Sequence, residues 1–98
     1  MAILETFEKQ PGEIRAFDID YAEYLARNGT SARAVDPIEY QIQEGITLVA
    51  ALWVDEGGFV KLYFDRGVHR KKYKATVWLN TAGGERLEAD IVIKVKDS

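Results

Sequence analysis

At 98 residues, 47% of them hydrophobic and 30% charged, the chain is long enough for one core and has the composition of a folded domain rather than a disordered one. It contains no cysteine, which excludes disulfides, thiolate nucleophiles and cysteine metal sites. A net charge of −3 offers no overall attraction to nucleic acid, and no apolar run approaches the roughly 18 residues of a membrane-spanning helix.

Ile3, Leu4 and Phe7 follow no clean period, and Pro11-Gly12 closes them with a turn signal. Residues 1–12 therefore read as an N-terminal arm, and residues 13–98 as one β-sandwich domain. Because the start, MAILETFEKQ, lacks the basic and apolar regions of a secretion signal, synthesis in the cytoplasm is expected. Glu13 to Ile19 reads as a short strand. Asp18 or Asp20 then caps a brief helix near residues 21–26, which Asn28-Gly29 ends.

From Ala32 to Gln43 the alternation of Ile38, Tyr40 and Ile42 is interrupted by Pro37, so a bent or edge strand is expected. Ile46 to Val54 is a continuous apolar run between Gly45 and the turn Asp55-Glu56-Gly57-Gly58, which predicts a strand buried on both faces. Phe59 to Phe64 predicts another strand, ended by Asp65-Arg66-Gly67. The clearest pattern comes last. Tyr73, Ala75, Val77 and Leu79 alternate with mostly polar residues, and after Thr81-Ala82-Gly83-Gly84 the alternation resumes at Leu87, Ala89, Ile91, Ile93 and Val95, a C-terminal β-hairpin. About seven short strands with regular turns predict an all-β, immunoglobulin-like antiparallel β-sandwich. Tyr73 stands where such folds place a corner tyrosine that bonds to upstream backbone.

Residues that could carry chemistry are few. His69 is the only histidine, in a turn without a sequence-near acidic partner, and reads as a plain loop residue. The pair Asp18 and Asp20 lacks calcium-loop spacing, so capping and turn roles are the better reading. No catalytic residue, cofactor, metal or small-molecule substrate is expected. Possible protein contacts are the basic cluster Arg70, Lys71 and Lys72, continued by Lys74, together with the large aromatics Phe7, Trp53, Tyr63 and Trp78, which bury much area at low entropic cost. Trp78 falls on the outward face of its strand. Trp53, Trp78 and Tyr63 could alternatively form a stacking platform for a carbohydrate or cell-surface ligand.

The segment Phe7-Glu8-Lys9-Gln10-Pro11-Gly12-Glu13, leading into Phe17-Asp18-Ile19-Asp20-Tyr21-Ala22-Glu23-Tyr24-Leu25, resembles small tailed-phage virion proteins of the fibre-tail adaptor family. The resemblance resumes from Tyr73-Lys74-Ala75-Thr76-Val77-Trp78 to Glu85-Arg86, similar to that family's tyrosine-led strand, glycine turn and closing charged strand. It departs at Asp65 to Lys72, where basic groups replace a small-residue turn. The resemblance implies a non-enzymatic structural virion protein of a bacteriophage or prophage, in the tail, neck or fibre-attachment region. Its partners would be other virion proteins, or further copies of itself in a ring.

Overall fold

The computed structural model describes residues 3–96. These form seven strands and one short helix: β1 (Ile3–Lys9), β2 (Arg15–Asp20), α1 (Ala22–Arg27), β3 (Ile38–Ile42), β4 (Ile46–Val54), β5 (Phe59–Arg66), β6 (Lys72–Asn80) and β7 (Arg86–Val95). The strands make two sheets, one of four strands in the order β1-β7-β6-β3 and one of three in the order β2-β5-β4. The two sheets pack as an immunoglobulin-like sandwich.

Alternation drives this packing. A side chain every second residue points inward, so β6 contributes Tyr73, Ala75, Val77 and Leu79 while β7 contributes Leu87, Ala89, Ile91, Ile93 and Val95, all buried. From the opposite sheet, Phe17, Ile19, Val60, Leu62 and Phe64 complete the core. β6 and β7 pair antiparallel over their whole length, from Lys72 opposite Lys94 to Asn80 opposite Arg86, as the sequence pattern predicts. The Tyr73 hydroxyl accepts a hydrogen bond from the Val68 amide at 2.9 Å, which is the expected corner. Two glycines with positive φ, Gly45 and Gly67, flank its ring; a Cβ on Gly45 would lie 2.8 Å from Tyr73 Cε1. Both positions therefore need glycine for backbone conformation and for space.

Three expectations change on folding. First, pairing is not antiparallel throughout: β1 runs parallel to β7, from Ile3 beside Ala89 to Lys9 beside Val95. The chain leaves the four-stranded sheet at the Pro11-Gly12 turn and enters the other sheet as β2, so β1 lies along β7 with no hairpin to reverse it. Phe7 of β1 stacks on Phe17 of β2, ring centroids 4.5 Å apart. Second, β4 is not buried on both faces. It is an edge strand whose inner face carries Ile46, Leu48, Ala51 and Trp53, while Val49 and Leu52 stay 54% and 51% exposed. A two-layer fold leaves the outer face of each sheet uncovered, whatever the sequence places there. Third, the helix is shifted by one residue: Tyr21 stands at its N-cap with no side-chain cap bond, and Asp20, one residue earlier, takes a turn role, its Oδ1 accepting the Ala22 amide at 2.8 Å. β3 begins after Pro37 and is an edge strand, as expected.

Candidate docking surfaces

Side chains directly opposite one another on antiparallel strands share a face. On the outer face of the three-stranded sheet this aligns Ala16, Tyr63 and Ala50 in one row, Asp18, Lys61 and Leu52 in the next, and Asp20, Phe59 and Val54 in the third. The register shifts between Leu48 and Ala50, leaving Val49 as the extra residue of a bulge that turns its side chain to solvent. The β4 and β5 part of this face is apolar: Val49, Leu52, Val54, Phe59 and Tyr63. Its polar relief is the Lys61–Asp18 ion pair at 3.9 Å, with the Lys61 ammonium 6.0 Å from the Phe59 ring centroid.

The outer face of the four-stranded sheet is different in kind. Trp78 lies there half-buried, donating from Nε1 to Glu88 Oε1 at 2.9 Å, with the Arg86 guanidinium 4.5 Å from its ring centroid. Arg86 also pairs with Glu39 at 3.2 Å, and Thr76 donates to Asp90 at 2.8 Å. These groups already satisfy one another across β3, β6 and β7, so the cluster acts as cross-strand cement.

At the end of the sandwich where β1, β5 and β7 finish and β6 begins, the surface is basic. His69, Arg70, Lys71, Lys72, Lys94 and Lys96 surround a depression of about 270 Å³. The loop is anchored by backbone bonds, Arg70 N to Val95 O at 2.8 Å and Val95 N to Lys71 O at 3.0 Å. Arg66 and Arg70 both hold positive φ, 65° and 68°, a conformation that costs a non-glycine residue about 1 kcal/mol. Beneath them Lys9 is buried, and its ammonium donates to the carbonyls of Arg66 at 2.6 Å and Gln10 at 2.7 Å. Burial lowers the Lys9 pKa, opposed by the nearby carboxylates of Asp65 and Glu13.

At the far end Trp53 turns inward against the core and donates to Asp55 at 3.1 Å. It borders a shallow depression of about 240 Å³ with Leu25, Ser31 and Glu56. Close by, Tyr21 is buried with its hydroxyl unpartnered among the described residues. Burial pushes its pKa up, and the Glu5 carboxylate adds to the shift.

The sequence-predicted contacts thus separate. Arg70, Lys71 and Lys72 do lie together and exposed at the basic end. Phe7 is consumed by its stack on Phe17. Trp53 faces inward, while Tyr63 and Trp78 lie on the outer faces of different sheets, so these three form no common platform. Missed by sequence reasoning were Val49 and Leu52, hidden in an unbroken apolar run, and Lys94 and Lys96, which only strand pairing brings to Lys72. Their alternation with Ile93 and Val95 was the available signal.

Strand order and the tyrosine corner define the class: a small immunoglobulin-like β-sandwich with one apolar outer face and one basic end. Residues 9–94 match the family described as podophage GP4 fiber-tail adaptor protein gp77. The chain belongs to that family and is a structural protein of the phage tail, located in the virion. Among solved structures it is similar to the 2,6-sialyltransferase of Photobacterium sp. JT-ISH-224, with a TM-score of 0.51 at 12% identity over 98% of this chain and 17% of that one. It is also similar to the cysteine protease inhibitor EhICP2 from Entamoeba histolytica, with a TM-score of 0.44 at 7% identity over 95% of this chain and 93% of that one. The chain spans less than a fifth of the transferase, and the likeness to that structure, at 12% identity, speaks for the fold alone. No curated protein matches the chain.

Proposed function

We propose that the protein works by docking onto other virion proteins in the tail, neck or fibre-attachment region, without catalysing a reaction. The observation that carries this reading is the apolar outer face of the three-stranded sheet, in a chain that belongs to an adaptor family. Val49 and Leu52 expose apolar surface beside Tyr63, and removing such surface from water is favourable by roughly 25 cal/mol per Å². The molecule measures 42 × 21 × 21 Å; a long side of it is large enough for the roughly 800 Å² per partner of a stable interface. Tyr63 would serve as an aromatic anchor on that face, with Arg70, Lys71 and Lys72 as a charged contact at one end. Residues 1–12 enter the reading through β1, an edge strand whose free backbone groups another chain can extend.

Leu52→Asp tests the proposal, because the side chain is half exposed and its replacement leaves the core intact. The variant is expected to keep its melting temperature within the small range of surface substitutions and to be depleted from phage particles. Incorporation at the wild-type level would overturn docking through this face.

A further inference from the structure

We infer that copies of this chain bind one another head to tail, the basic end of one against the acidic end of the next. The inference deepens the docking reading by naming a second copy as a partner. It starts from how charge is distributed along the 42 Å axis. Strands β6 and β7 run along that axis, since ten residues at about 3.3 Å each need about 33 Å, so residues sort by which strand end they occupy. Nine of the thirteen Lys and Arg fall in residues 8–15, 43–47, 65–74 and 92–96, at the end where β7 finishes, against four Asp and Glu. The remaining described residues hold four Lys and Arg and eleven Asp and Glu. A net charge of −3 therefore conceals a strongly dipolar molecule.

The two ends differ in how their charges are used. The ion pairs formed among the described residues, Arg27 with Glu23, Lys61 with Asp18 and Arg86 with Glu39, all belong to the acidic part. At the basic end Arg70, Lys71, Lys72, Lys94 and Lys96 form no ion pair with a described residue. Lys72 and Lys94 are direct cross-strand partners, an arrangement that destabilises a sheet. Arg70 adds the cost of its left-handed backbone. A surface that concentrates like charge with no ion pair among the described residues, at a cost to the fold, is built to meet opposite charge.

The acidic end offers that charge on a projecting turn. Asp55 and Glu56 join β4 to β5, both exposed, and Glu56 has no ion-pair partner among the described residues. The basic depression of about 270 Å³, walled by Arg70, Lys71, Lys72, Lys94 and Lys96, presents cations on several sides to such a turn. Because the contact joins two different patches, it is heterologous; repeated, it closes into a ring or continues as a filament.

The experiment measures molar mass by light scattering over a concentration series of the purified chain, at about 20 mM and about 500 mM salt, which moves the screening length from roughly 20 Å to roughly 4 Å. At low salt the mass is expected to climb above 11.1 kDa with concentration, and at high salt to return to it. Lys71→Glu/Lys72→Glu and Asp55→Lys/Glu56→Lys should each abolish the rise alone, while a mixture of the two variants restores a complex. Circular dichroism of each variant shows that it is folded, so a lost rise reads on association. A chain that stays at 11.1 kDa at low salt, a mass that ignores salt and charge reversal, or variants that fail to complement each other would overturn the inference. If Leu52→Asp is nevertheless depleted from particles, docking onto other virion proteins survives that result; the two readings fail separately.

Discussion

Tyr21 and Lys9 are two of the residues at which the fold buries a polar group, as it also does at Thr81. The Tyr21 hydroxyl has no hydrogen-bond partner among the described residues, and a buried unsatisfied group costs about 1–3 kcal/mol. Tyr21→Phe keeps the ring in the core and removes the liability, so thermal melts should show a gain of about 1 kcal/mol, or roughly 4–8 °C. The same residue sets an alkaline limit. Its pKa is raised in the fold above the ordinary value of 10.0, so its neutral form is favoured by folding; that stability is complete below pH 10.0 and is lost as pH rises beyond it. Melts between pH 9 and 12 should show the wild type losing stability faster than Tyr21→Phe. Lys9 is the opposite case, a buried cation whose two carbonyl partners justify it. Lys9→Met retains the aliphatic stem but leaves the Arg66 and Gln10 carbonyls without their ammonium, and denaturant titration should register a loss of about 1–3 kcal/mol. Neither role was legible beforehand: Tyr21 read as the first helical residue and Lys9 as part of an arm.

Among the elements, the C-terminal hairpin was fully legible, because Tyr73 to Leu79 and Leu87 to Val95 carry strict alternation and a Gly-Gly turn between them. β1 was not. Its inward residues Phe7 and Lys9 include a lysine, which breaks the apolar period that would have marked a strand. Since β1 supplies the ladder on β7 and the Phe7–Phe17 stack, deleting residues 1–10 should lower stability by roughly 3 kcal/mol or more, the cost of losing a packed phenylalanine alone. A melt of the truncated chain matching the wild type would contradict this. β4 was misjudged for the converse reason: Ile46 to Val54 is apolar on both faces, yet only one face is covered, and the other supplies the candidate docking surface.

Across the whole molecule, both sheets share one core in which Val60, Leu62, Phe64, Val77, Ile91 and Ile93 are fully buried. Unfolding should therefore be a single cooperative transition, with circular dichroism and tryptophan fluorescence coinciding. Ile91→Ala, at the centre of β7, should cost about 2–5 kcal/mol and shift that transition without splitting it. At this scale the surface has its own logic. Apolar outer face, satisfied Trp78 cluster and basic end occupy three different sides, so the seven contact residues expected from sequence were never one site. Only Arg70, Lys71 and Lys72 stayed together, because they are neighbours in the chain.

The sequence by itself determined the strand character of β2 and β5, the inward-facing residues of β6 and β7, the turns that close them and the tyrosine corner, because period-two alternation and turn chemistry are local properties that survive in any tertiary context. It also determined the departure of Asp65 to Lys72 toward basic residues. Only the tertiary structure decided which apolar residues remain uncovered, that β1 pairs parallel, and that Lys94 and Lys96 join Lys71 and Lys72 at an end from which most carboxylates are absent. Those outcomes depend on which strand lies beside which, and strand order is a long-range choice that no local pattern encodes.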